Sequence, residues 1–167
     1  KQVVDEIRSL DSTRPVTNVM YEKVEKDLVS HMCDVVCINR YYSWYYNIGN
    51  TDVAYESMRR ELDAWYTKLK KPIMVTEYGA DTMAGLHKLP ETIFSEEYQI
   101  EYYKEYHRAF DECDFIVGEQ AWAFADFMTS FGLRRFDGNK KGIFTRQRQP
   151  KSVAKLFRDR WTREDGR

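Results

Sequence analysis

An α/β fold with parallel strands and outer helices is the class this sequence predicts, and three features carry the prediction. Short apolar runs alternate with amphipathic stretches about four times along the chain. The amphipathic stretches are long enough to carry the chain back over a sheet, so that each new strand runs in the same direction as the last. Three of the four apolar runs end in a polar or aromatic cluster, as expected where parallel strand ends build a site. Four strands make either a small open sheet or half of an eight-stranded barrel. A complete barrel takes about 250 residues, and this chain has 167.

The elements follow in order. Val3, Val4, Ile7 and Leu10 have the spacing of the inner face of a helix already under way at Lys1. With no Met at the start, the expectation is a segment of something longer. Asp11 to Pro15 is a loop, Val16 to Met20 a short strand, and polar Glu22 to His31 reads as helix. The run Asp34 to Asn39 is the second strand. Between Asp52 and Leu69, the residues Ala54, Met58, Leu62, Trp65 and Leu69 recur every three or four positions, which marks one face of a helix. Pro72 ends that connection and Ile73 to Thr76 is the third strand.

Gly85 and Pro90 make Asp81 to Phe94 a loop, and Ser95 is an N-cap for a long helix with Tyr98, Tyr102, Tyr106, Phe110 and Cys113 on one side. Phe115 to Gly118 is the fourth strand. An irregular loop then runs to about Gln149, and Lys151 to Trp161 is a last amphipathic helix.

Composition narrows the function classes. Hydrophobic residues make up 43%, which suits a globular core, and 26 Lys and Arg stand against 27 Asp and Glu. That balance gives no global reason to expect nucleic acid or an anionic membrane as partner. No apolar run approaches the ~20 residues of a membrane span. Cys33, Cys37 and Cys113, with scattered His31, His87 and His107, make neither a disulfide framework nor a zinc site. The cysteines read as free thiols, which suits a reducing compartment, and no metal or cofactor is expected.

Chemistry is expected at the strand ends. Glu77, in Thr76-Glu77-Tyr78-Gly79, closes the third apolar run, and burying a carboxylate there is costly unless it is paired or used. It is the leading catalytic candidate. The second run ends in Asn39-Arg40 followed by Tyr41, Tyr42, Trp44, Tyr45 and Tyr46; the fourth ends in Glu119-Gln120 and Trp122. Aromatic faces stack on the C–H faces of a sugar ring, while amides and carboxylates bind its hydroxyls. The loop Leu133 to Gly142 places Arg134, Arg135, Lys140 and Lys141 within eight residues, either as a solvated surface or as an anion site.

Together these motifs resemble the catalytic barrel of the β-glucuronidases of glycoside hydrolase family 2. The resemblance rests on Asn-Arg-Tyr-Tyr-Ser-Trp-Tyr (39–45), Thr-Glu-Tyr-Gly-Ala-Asp-Thr-Met-Ala-Gly-Leu-His (76–87), Gly-Glu-Gln-Ala-Trp-Ala-Phe-Ala-Asp-Phe (118–127) and Gly-Asn-Lys-Lys-Gly-Ile-Phe-Thr-Arg (138–146). It implies a (β/α)8 TIM barrel, of which residues 1–167 form the C-terminal half, strands five to eight.

It also implies a retaining mechanism with Glu77 as nucleophile and Tyr41 as the tyrosine that holds its carboxylate. Asn39, Tyr45 and Trp122 would line the sugar pocket. Asn139 and Lys141 match the Asn-x-Lys pair that distinguishes glucuronidases from relatives acting on neutral sugars, and Arg135 matches a further pocket cation. The second carboxylic acid such an enzyme needs, about 5–5.5 Å from the nucleophile, lies in the family within an Asn-Glu motif. That dipeptide does not occur here, and Glu119 is expected to be structural rather than the acid. The implied partners are a glucuronide substrate, the remainder of the same polypeptide and, by resemblance, three further copies in a tetramer, in a bacterial cytoplasm.

Overall fold

The computed structural model describes residues 1–163. Four parallel strands, β1 (Thr17–Met20), β2 (Val35–Asn39), β3 (Ile73–Tyr78) and β4 (Ile116–Ala121), lie side by side in sequence order. The helices are α1 (Gln2–Leu10), α2 (Asp52–Leu69), α3 (Glu96–Asp111) and α4 (Val153–Trp161). Sequential order with a helix in each crossover from β2 to β4 is the arrangement of an arc of a (β/α)8 barrel.

The core lies between the sheet and the helices. Val36, Ile38, Ile73, Val75 and Tyr78 from the strands meet Met58, Leu62 and Trp65 of α2 and Tyr102, Tyr106 and Phe110 of α3. Of the stripe expected on α2, Ala54, Met58, Leu62 and Trp65 are buried, Leu69 at the helix end is only half-buried, and Glu61 joins the buried set. Lys70 ends α2 in the left-handed conformation, its N–H on Tyr66 O, just before Pro72. Ser95 caps α3 by accepting from Tyr98 N at 3.2 Å.

The buried tyrosines of α3 do more than fill the core. Tyr98 donates to Ser43 O and accepts from Gly49 N, Tyr102 accepts from Gly79 N at 3.1 Å, and Tyr106 donates to Tyr42 O at 3.2 Å. The row thus pins the segments that leave β2 and β3. Gly79 must be glycine for a related reason: a Cβ there would come within 2.1 Å of Trp122 O.

Several expectations need correction. Glu22 to His31 is not a helix but two short 3-10 turns, Val24–Lys26 and Ser30–Met32. Asp27 explains this, because its Oδ1 accepts from Val29 N, Ser30 N and Ser30 Oγ and so competes with continued helical bonding. The expected inner face of α1 is uncovered: none of its residues is buried, and Val3 is 71% exposed. Cys113 lies beyond the end of α3, although it is buried. β3 and β4 run further than predicted, so Glu77 and Glu119 lie within strands rather than after them. All three cysteines are free and buried.

Candidate active site

Glu77 is presented by an irregularity in the pairing of β2 with β3. The register runs Val36 to Ile73, Cys37 to Met74 and Ile38 to Val75, then skips to Asn39 opposite Glu77. Arg40 N donates to Glu77 O at 2.8 Å and closes the bulge. The carboxylate, half-buried, accepts from the Tyr41 hydroxyl at 2.8 Å on Oε2. Burial, reinforced by this bond and by the charge of Glu77, pushes the Tyr41 phenol far above its ordinary value, so it stays a donor. Thr76 Oγ1 donates to Asn39 Oδ1 at 2.8 Å and fixes that amide. The Tyr45 ring meets Tyr41 edge-on with centroids 5.1 Å apart. Asn39, Tyr41, Tyr45 and Glu77, with Tyr21 and Tyr42, line a cavity of about 470 Å3.

One wall is braced by a buried ion pair. Arg40 meets Glu61 at 2.5 Å and donates to the carbonyls of Met20, Tyr21 and Glu22, tying the end of β1 to that of β2. Glu61 also accepts from Tyr42 OH and Trp65 Nε1. Burial opposes ionisation of Glu61, but the bonds and charge of Arg40 outweigh it and hold the carboxyl below its usual range.

The basic loop is partly interior. Lys141 is shut off from solvent, its Nζ paired with Asp81 Oδ2 and 5.1 Å from the ring centroids of both Trp44 and Tyr45. It is 5.8 Å from the Tyr41 ring, the same ring that holds Glu77. Arg135 Nη1 also donates to Asp81 Oδ2, at 3.1 Å, and its Nη2 donates to Tyr45 OH. Asn139 is buried, with Oδ1 accepting from Lys141 N at 3.1 Å. For Asn139 and Lys141 the solvated-surface alternative is therefore overturned.

Of the candidates named from sequence, Asn39, Tyr41, Tyr45 and Glu77 share the cavity, and Arg135, Asn139 and Lys141 join it through Tyr45, Tyr41 and one another. Trp122 stands apart at the end of β4, exposed, with its N–H on Tyr78 O and its ring edge-on to Phe127. Glu119 is structural: both its oxygens bind Arg160, and Oε1 accepts from Trp161 Nε1, so it clamps α4 to β4.

Two of the buried acids brace the site and were missed, Asp81 and Glu61. Asp81 carried a signal, a charge among small residues in Gly79-Ala80-Asp81-Thr82 directly after a strand. Glu61 carried one too, standing beside the apolar stripe of α2.

A family model described as "Glycosyl hydrolases family 2, TIM barrel domain" matches residues 1–164. Among curated proteins, a β-glucuronidase of Paenibacillus borealis is 48% identical over 161 residues, 96% of this chain and 27% of its own length. Among solved structures, a β-glucuronidase of an uncultured Clostridium sp. superposes with a TM-score of 0.93 at 59% identity, over 96% of this chain and 28% of that one. A Ruminococcus gnavus β-glucuronidase in complex with D-glucuronic acid superposes at 0.90 and 47% identity, over 96% and 29%. The chain thus spans little more than a quarter of the length of these relatives.

Proposed function

The chain belongs to the TIM-barrel domain of the family 2 glycosyl hydrolases, and from that membership we propose that the protein is a retaining β-glucuronidase with Glu77 as its nucleophile. The observation that carries the reading is the Tyr41–Glu77 hydrogen bond at the mouth of a tyrosine-lined cavity, beside the Lys141 and Arg135 cations. Relatives of this chain are β-glucuronidases, and one holds D-glucuronic acid in its structure.

In the first step a Glu77 oxygen attacks the anomeric carbon, the bond to the aglycone oxygen breaks, and the leaving group takes a proton from a carboxylic acid outside this chain. In the second, water attacks the same carbon, the ester to Glu77 breaks, and that acid, now a base, receives the water's proton. Tyr41 keeps the carboxylate oriented by donating to it. Asn39 and Tyr45 receive the sugar from the cavity wall and, on the family resemblance alone, Trp122 does so from the end of β4. Asn139, Lys141 and Arg135 receive its carboxylate, with charge-assisted bonds of about 1.5–3 kcal/mol each.

The remainder of the polypeptide supplies the acid. On the family resemblance the protein assembles as a tetramer, and its free thiols suit a bacterial cytoplasm.

The test is labelling of the full-length protein with 2-deoxy-2-fluoroglucuronyl fluoride, followed by peptide mapping. Fluoride leaves without acid assistance, so the adduct reports the nucleophile alone. The expected result is one adduct, on Glu77. An adduct on another residue, or glucuronide turnover with no adduct, overturns the assignment.

A further inference from the structure

We propose that Asp81 is the positioning residue of the anion site, tying Lys141 and Arg135 into one cationic unit and fixing that unit against the strand that carries Glu77. The inference rests on the β-glucuronidase reading and deepens it.

Asp81 is buried and spends both carboxylate oxygens on the loop between Arg135 and Lys141. Oδ2 accepts from Lys141 Nζ and from Arg135 Nη1 at 3.1 Å; Oδ1 accepts from Lys140 N at 2.8 Å. Two cations on one carboxylate leave a net positive unit, which a single further carboxylate completes and a neutral hydroxymethyl group does not. An ammonium has three donors and a guanidinium five, so the bonds to Asp81 leave donors on both cations. Arg135 is partly exposed while Lys141 is sealed behind it, so an incoming oxygen meets Arg135 first. Lys141 otherwise lies among the rings of Trp44, Tyr45 and Tyr41, so it is Asp81 that fixes where the charge points.

Asp81 also sets a distance. It lies four residues after Glu77 on the continuation of β3, and its bond to Lys140 N holds the loop to that continuation. A glucuronide offers its reacting carbon and its carboxylate at fixed positions on one rigid ring, so nucleophile and cations must be spaced to match. The other buried acid of this region differs: Asp126 binds Lys151, whose ammonium also donates to Thr82 O and Lys140 O, and that pair braces backbone alone.

The experiment compares kcat/KM for p-nitrophenyl β-D-glucuronide and p-nitrophenyl β-D-glucoside in the full-length protein and in Asp81→Asn. The expected result is a glucuronide-to-glucoside ratio lowered about tenfold or more, chiefly through a higher KM for the glucuronide. Asp81→Glu keeps the charge but displaces it by a methylene, and should lower the ratio by less. Equal losses on both substrates would assign Asp81 a purely structural role. A raised ratio would make it a competitor of the substrate. Either overturns the inference. If Asp81→Asn does not fold, Asp81→Glu is read alone, and an unchanged ratio there overturns it too. A wild-type protein that cleaves glucosides but not glucuronides sinks the function and the inference together. A wild-type glucuronidase whose ratio survives both substitutions sinks the inference only.

Discussion

Glu77 and Lys141 both lie within reach of the Tyr41 ring, yet they are held in opposite ways. Glu77 is half-buried, placed by a strand bulge, and takes a hydroxyl on its carboxylate. Lys141 is sealed from solvent in a loop, held by an ion pair to Asp81 and surrounded by aromatic faces. On the proposed function, the carboxylate that would form and break a bond is the one left accessible and lightly held. The cation that would only recognise charge is the one assembled in advance, where low polarity magnifies its field. On that proposal the first is expendable for stability and essential for turnover, while the second matters to both.

Replacing Glu77 with Gln should cost the most activity. Turnover of p-nitrophenyl glucuronide should fall by several orders of magnitude, while calorimetric affinity for D-glucuronic acid and the denaturant midpoint stay near wild type. A large drop in stability would show that Glu77 is structural after all and would break the contrast from that side. Lys141→Ala probes the other side. It leaves the buried Asp81 with Arg135 as its one cation, so stability should fall by up to about 3–5 kcal/mol, the cost of removing one partner of a buried pair, alongside selective loss of glucuronide turnover. Equilibrium unfolding of the full-length protein reads the first effect and the two-substrate ratio the second; an unchanged midpoint would mean that the pair is not insulated from water.

Tyr41→Phe should have a smaller effect, confined to chemistry. Losing a charge-assisted bond of about 1.5–3 kcal/mol predicts a ten- to hundredfold fall, roughly, in kcat/KM, with stability retained. A fall of less than about threefold would show that the carboxylate is oriented from elsewhere.

The smallest effect concerns the layer behind β3. His107 Nε2 lies 3.2 Å from Tyr78 OH, with its ring against Tyr103 and Phe157. Burial, aided by Arg160 and Arg163, lowers its pKa from the ordinary 6.5 to about 2. Because the folded value lies below the unfolded one, the unfolded chain takes up the proton first on acidification. The neutral ring's share of stability is therefore full above pH 6.5 and declines as pH falls below it, toward the folded value of about 2. His107→Gln should flatten the melting temperature across about pH 5 to 7 relative to wild type. Parallel profiles would show that the imidazole titrates freely.

The parts legible in the sequence were those governed by local periodicity or by a motif. The spacing of Ala54, Met58, Leu62 and Trp65 located both α2 and its buried face, and the apolar run before Glu77 located β3. Apart from the Tyr41–Glu77 bond, which the family motif implied, partner choice across long separations was not legible. Asp81 and Lys141 are sixty residues apart, and Arg40 and Glu61 become a pair only when α2 folds back over β2. Periodicity also overreached: a polar stretch from Glu22 to His31 has helical character until Asp27 offers its own backbone a competing partner. The tyrosines of α3 were legible as a face but not as donors and acceptors, because the groups they meet belong to loops whose course the sequence does not reveal.

That row of tyrosines has a consequence for how the mouth of the sheet moves. Tyr98, Tyr102 and Tyr106 engage three successive turns of one helix with backbone of the segments leaving β2 and β3. Those segments share the helix's register, so neither can shift while α3 remains docked. Fluctuations that widen the mouth must loosen the outer helix at the same moment, and the two should gain and lose order as a single cooperative unit.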